Sequence, residues 1–137
     1  MAIQIQHLSK AFDSKPVLAD FSAEIPEKAV TCLMGESGCG KTTLLYLLAG
    51  LISPDAGKIS GISGKIAFVF QENRLAENFT VYRNLKMVCK GQKISKEMLG
   101  EMLENVGMDK ALLHAPVSSL SGGMKRRVAI LRALLCD

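Results

Sequence analysis

Apolar positions change their spacing several times along the chain, and the changes mark out short elements. Ile3 and Ile5 alternate with Gln4 and Gln6, the period of a half-buried strand. Residues 9–16 read as a polar turn, and residues 21–25 as a second alternating segment closed by Pro26. These predict an antiparallel β layer. Residues 29–34 form a short apolar run, which suits a strand buried on both faces of a parallel sheet. Residues 35–40 are glycine-rich. Residues 41–49 then show helical spacing, with Gly50 as the C-terminal stop. A turn at 53–57 leads to two expected strands, 58–62 and 65–70. From Thr80 the period lengthens. Helices are predicted over 81–88, 97–106 and 110–113, with Ser95 as the N-cap of the second. A last helix over 124–135 is expected to turn Val128, Ile130, Leu131, Leu134 and Leu135 toward the core. No internal repeat or low-complexity segment interrupts this order.

The chain has 137 residues, enough for one domain, and 48% are apolar, enough for a core. A membrane-spanning helix needs roughly 20 consecutive apolar residues, and no run reaches that length. The first residues lack the charged-then-apolar layout of a signal peptide. A cytoplasmic chain is therefore expected, meeting a membrane only through a partner. The net charge is +4, concentrated in Lys125, Arg126, Arg127 and Arg132. A solvated helix face is the expected reading, ahead of a nucleic-acid patch. Four cysteines show no paired spacing for zinc or redox chemistry. Cys32 and Cys136 lie in apolar runs and are expected in the core.

Gly35-Glu36-Ser37-Gly38-Cys39-Gly40-Lys41-Thr42 matches the phosphate-loop pattern G-x-x-x-x-G-K-[ST] in full, between an expected strand and an expected helix. Glycines let backbone N–H groups wrap a polyphosphate, and the following helix points its positive end at the anion. Lys41 supplies a point charge for the β- and γ-phosphates, and the Thr42 hydroxyl a ligand for Mg²⁺. A chance glycine turn followed by Lys-Thr is the weaker reading, because motif and context agree. Cys39 sits inside this loop, where an added group would collide with bound phosphate.

Leu120-Ser121-Gly122-Gly123-Met124 opens the last helix. Alone it would be an ordinary capped helix start. Behind a phosphate loop and a helical block it resembles the signature of the ATP-binding cassette (ABC) ATPases, with Met124 where the family usually has glutamine. Residues 68–72, Phe-Val-Phe-Gln-Glu, resemble that family's Q-loop. The turn at 53–57 and the Leu48–Leu51 run also resemble the family's segment after the phosphate-loop helix. Residues 71–75 and 122–128 look like the nitrate, sulfonate and taurine importer branch. The stretch between Gly57 and Gln71 is shorter than in many relatives.

The resemblance implies an α/β fold: a P-loop NTPase core of ABC type with an antiparallel β layer and a helical subdomain, incomplete at the C-terminus. It implies a β layer and P-loop core over 1–79, a helical subdomain over 80–120 and a signature helix over 121–137. It also implies ATP and Mg²⁺ as cofactors. Gly35 to Thr42 and the adjoining Thr43 would hold the nucleotide, and Gln71 would reach Mg²⁺ and the attacking water. Ser121, Gly122 and Gly123 would meet the γ-phosphate of ATP held by an opposite subunit. Phe12 stands where the family stacks an aromatic on adenine, although a core phenylalanine is an equal alternative. The implied partners are transmembrane permease subunits and a second ABC ATPase or another copy of the chain, with no nucleic acid. The implied location is the cytoplasmic face of a membrane. In the family a strand ending in an Mg²⁺-binding aspartate, a catalytic glutamate and a switch histidine follow the signature helix. His7 and His114 are misplaced for the switch, and Asp137 is expected in the loop before that strand. Two other readings stay open: a non-catalytic ATP-binding fragment, and a DNA-repair or chromosome-organising ABC ATPase. The latter carries a long coiled-coil or zinc-bearing insertion that these spacings do not show.

Overall fold

The computed structural model describes residues 2–89 and 93–136, so the expectation for Asp137 lies outside the described residues. The chain divides into two compact units, Met1–Gly64 and Lys65–Asp137.

The first unit is an antiparallel sheet of three strands, β1 (Ile3–Phe12), β2 (Lys15–Ile25) and β3 (Ala56–Ser60), in the order β2-β1-β3. The strand that Ile3 and Ile5 begin runs further than the sequence pattern suggests. What reads as a long polar turn is mostly strand, and the turn itself is Asp13-Ser14. Both residues have positive φ (48° and 64°), the twist that joins right-twisted strands in a two-residue hairpin. The simple alternation fails at His7. Ile5 and Leu8 are three residues apart, yet both are buried, because an extra residue bulges β1 between them. Asp20 is the extra residue of β2 opposite, and His7 Nδ1 lies 2.6 Å from Asp20 Oδ1. Across the bulge only glycine fits at position 57: a Cβ there would meet the His7 carbonyl at 2.3 Å, and φ is +83°.

Helix α1 (Lys41–Leu48) covers this sheet, burying Leu44 and Leu47 with Ile5 and Leu8. It ends as predicted at Gly50. The Leu51 N–H bonds the Tyr46 carbonyl at 2.9 Å and the Gly50 N–H bonds that of Leu47 at 3.1 Å, a Schellman motif.

The second unit is helical: α2 (Val81–Lys86), α3 (Lys96–Asn105), two 3₁₀ turns at Lys110–His114 and Val117–Ser119, and α4 (Gly122–Leu134). Its core gathers Val81, Leu85, Leu99, Leu103, Val117, Val128 and Leu131 with their neighbours. Ser95 caps α3 as predicted, its Oγ accepting from the Met98 N–H at 3.1 Å. Asn84 is the one buried polar residue among those described. Its Oδ1 accepts from the Ala76 N–H at 2.8 Å, and its Nδ2 donates to the carbonyls of Ala76 and Thr80, each at 3.0 Å.

Several expectations are corrected. Residues 29–34 and 65–70 are not strands. Val30 and Met34 are exposed, and Ile66 is about half exposed. An apolar run becomes a strand only where neighbouring strands take its N–H and C=O groups. Here β1 is occupied on both edges, and no described strand pairs with either run. Ile130 and Leu134 are exposed, while Val128, Leu131 and Leu135 enter the core of the second unit. Cys32 and Cys136 are exposed. The core cysteine is Cys89, where burial pushes the thiol pKa up.

The four basic residues of α4 lie at the surface, Arg127 exposed, and each also meets an acceptor. Arg126 donates to the Phe70 carbonyl, and Arg127 to that of Gly107 at 3.1 Å. Arg132 donates to the carbonyls of Arg74 (2.8 Å) and Asn73 (3.1 Å), and Lys125 pairs with Glu77. The three arginines are held by backbone carbonyls, because loop carbonyls that no helix or sheet uses need donors, and Lys125 by a carboxylate.

Candidate nucleotide site

Gly40 precedes α1 in a left-handed conformation (φ 95°), and a Cβ there would crowd the Val17 carbonyl at 3.0 Å and the Val17 side chain at 3.1 Å. Gly40 therefore lies against β2 as bare backbone. The loop 35–40 wraps the Lys41 side chain: Nζ donates to the carbonyls of Gly35 at 2.9 Å and Glu36 at 2.6 Å, with Cys39 Sγ at 3.6 Å. The result is a fixed ammonium inside an exposed ring of backbone at the first turn of a helix. Thr42 is exposed and Thr43 half-buried on that turn. Beneath the loop a cavity of 160 Å³ is lined by Leu18, Phe21, Leu33, Met34, Cys39 and Lys41, among others. A glycine backbone that a side chain would crowd, a held ammonium and an open helix start together suit a polyphosphate.

Phe12 ends β1 beside the hairpin turn and is 47% exposed, so it is not a core residue. Its ladder partner is Lys15, two residues (about 7 Å) along β2 from the Val17 that abuts the phosphate loop. Lys10 Nζ lies over the Phe12 ring, 5.5 Å from its centroid. Lys10 is in turn paired with Asp55 at 2.7 Å. The hydrogen bond from Lys10, followed by that from the Ala11 N–H, holds the Asp55 carboxyl below its ordinary value. The sequence pattern gives no role to Lys10 or Asp55. The only local signal is an acidic residue in a turn that opens a strand.

Gln71 and the Ser121 motif belong to the second unit. Gln71 is exposed and follows Phe70, whose carbonyl Arg126 holds and whose ring carries the Arg74 guanidinium at 3.8 Å. Ser121 is the N-cap of α4. Its Oγ accepts from the Met124 N–H at 3.3 Å, which leaves the hydroxyl proton free to donate outward. Gly122 and Gly123 are exposed at the helix start, with open space where a Cβ would stand.

The family model described as ABC transporter matches residues 18–137, and the chain belongs to that family. It is 35% identical over 163 residues to the ABC transporter ATP-binding protein YtrE of Bacillus subtilis, covering 98% of this chain and 70% of that protein. It is 39% identical over 125 residues to an aliphatic sulfonates import ATP-binding protein, SsuB 1, of Pseudomonas savastanoi pv. phaseolicola, covering 91% of this chain and 52% of that one. A sulfate/thiosulfate import ATP-binding protein, CysA, of Mannheimia succiniciproducens is 37% identical over 152 residues, covering 98% of this chain and 42% of that protein. The chain thus spans about half the length of the import proteins it matches. The fold matches a solved ATP-binding subunit of an ABC transporter with a TM-score of 0.82 at 23% identity, over 99% of this chain and 62% of that one. No described helix is long and apolar enough to cross a membrane.

Proposed function

We propose that the chain supplies the ATP-binding half-site of an ABC transporter ATPase subunit, working in import. The observation that carries this is the Lys41 ammonium held inside the 35–40 loop. In this reading the backbone from Gly35 to Gly40 wraps the phosphates, and Lys41 meets the β- and γ-phosphate oxygens. Thr42 offers its hydroxyl to Mg²⁺, Thr43 extends the cradle, and Phe12 stacks on adenine. Gln71 would serve as the Q-loop glutamine, a ligand for Mg²⁺. Ser121, Gly122 and Gly123 present a second helix start to the γ-phosphate held by an opposing subunit, another copy or a second ABC ATPase. Segment 71–80 and α2 dock a permease on the cytoplasmic side of a membrane. Bound ATP supplies a transferable γ-phosphoryl group. The chain's own residues position it and offset its charge, and orienting the water is left to carboxylates that follow the signature helix in the family. Calorimetric titration of Lys41→Ala with ATP is the test: binding should fall below detection, and an unchanged affinity would overturn the assignment.

A further inference from the structure

Asp55 is bonded to three consecutive residues that lead into Phe12. Its N–H donates to the Ser9 carbonyl at 2.9 Å. Its Oδ2 accepts from the Ala11 N–H and its Oδ1 from Lys10 Nζ, both at 2.7 Å. Lys10 is mostly covered (side chain 16% exposed) and holds its charge over the Phe12 ring. One carboxylate thus sets both the backbone before Phe12 and the cation beside its ring. We propose that Asp55 is a positioning residue for base recognition, holding Phe12 in the orientation that stacks on adenine; this rests on the adenine role proposed above for Phe12. The physical gain is preorganisation. A ring already fixed at a strand end loses little freedom when a base settles on it. The ion pair also keeps Lys10 at the ring instead of free in solvent. Asp55 touches no phosphate-loop residue in its hydrogen bonds, so its effect should follow the base and spare the phosphates.

The test measures affinity of the chain for ATP and for inorganic tripolyphosphate by calorimetry. Asp55→Ala should weaken ATP about three- to tenfold, the scale of one lost ordering contact, and leave tripolyphosphate unchanged. In a Phe12→Ala background the same substitution should have no further effect. Lys10→Met should weaken ATP by a smaller factor, because the Ala11 bond survives. If Asp55→Ala fails to fold, Asp55→Asn, which keeps an acceptor for Ala11, is read with the same two ligands. If Phe12→Ala leaves ATP affinity intact, the adenine role of Phe12 is wrong. If Phe12→Ala weakens ATP while the Asp55 variants do not, or weaken both ligands alike, the positioning role fails and the Phe12 role stands.

Discussion

Lys125 on α4 and Glu77 in the loop before α2 are 48 positions apart, and Lys125 Nζ meets both Glu77 carboxylate oxygens, at 2.8 and 3.0 Å. With Arg126 and Arg132 the pair fastens residues 70–77 to the helix that Ser121 begins. Because Glu77 is half exposed, Lys125→Met should cost only about 0–1 kcal/mol in urea denaturation, and less at high salt. Arg132→Met frees two carbonyls and should cost about 1–3 kcal/mol. If the order of the two costs were reversed, the clasp would not be held by carbonyl bonding.

Asn84 makes a second claim on the same loop. Asn84→Leu keeps the branched shape but is bulkier and strands the Ala76 N–H, and should cost about 2–4 kcal/mol. Asn84→Asp faces a carboxylate toward two carbonyl oxygens and should cost at least as much near neutral pH. Thermal melts within about 0.5 kcal/mol of the parent chain would show the amide bonds to be dispensable.

Ser121 can be separated into its two jobs. Aspartate caps a helix about as well as serine, so Ser121→Asp should leave stability within about 0.5 kcal/mol of the parent. It also places a negative charge where the γ-phosphate is proposed to sit. Sedimentation of the intact protein with ATP should then show monomers that still bind nucleotide. ATP-driven dimers of normal strength would remove Ser121 from the interface.

Cys39 is exposed within the phosphate loop, 3.6 Å from Lys41 Nζ. Alkylation should block ATP binding, prior ATP should slow the labelling, and Cys39→Ala should bind ATP and resist the reagent. Loss of binding in treated Cys39→Ala would move the sensitivity to another thiol.

Exposure of Val30 and Met34 gives a test of the fold. Val30→Lys and Met34→Lys should change stability by no more than about 0.5 kcal/mol and reduce light scattering from self-association. A loss above about 2 kcal/mol would place them in a buried strand instead.

Features made by neighbouring residues were the legible ones. The caps at Ser95, Ser121 and Gly50 bond within one turn, so the sequence spacing carries them. The phosphate loop is likewise contiguous. The strand expected before it is absent, because apolar content at 29–34 says nothing about whether a partner ladder exists. The bulge at His7 needed Asp20 and Gly57, far along the chain. The partners of the basic residues of α4 are hidden, because carbonyl acceptors leave no mark in a sequence. Asn84 left a faint one: a polar residue at the apolar spacing of Val81, Leu85 and Val88.

The strand order β2-β1-β3 also has a consequence for synthesis. Of these three strands the central one is made first. Its hairpin partner follows after two residues, but β3 begins at Ala56. At about 5–20 residues per second, the second edge of β1 waits roughly 2–10 s for its partner. During that interval the nascent hairpin has one unpaired edge. Gln4 and Gln6 alternate with the isoleucines along it, so what it shows to other nascent chains is partly polar.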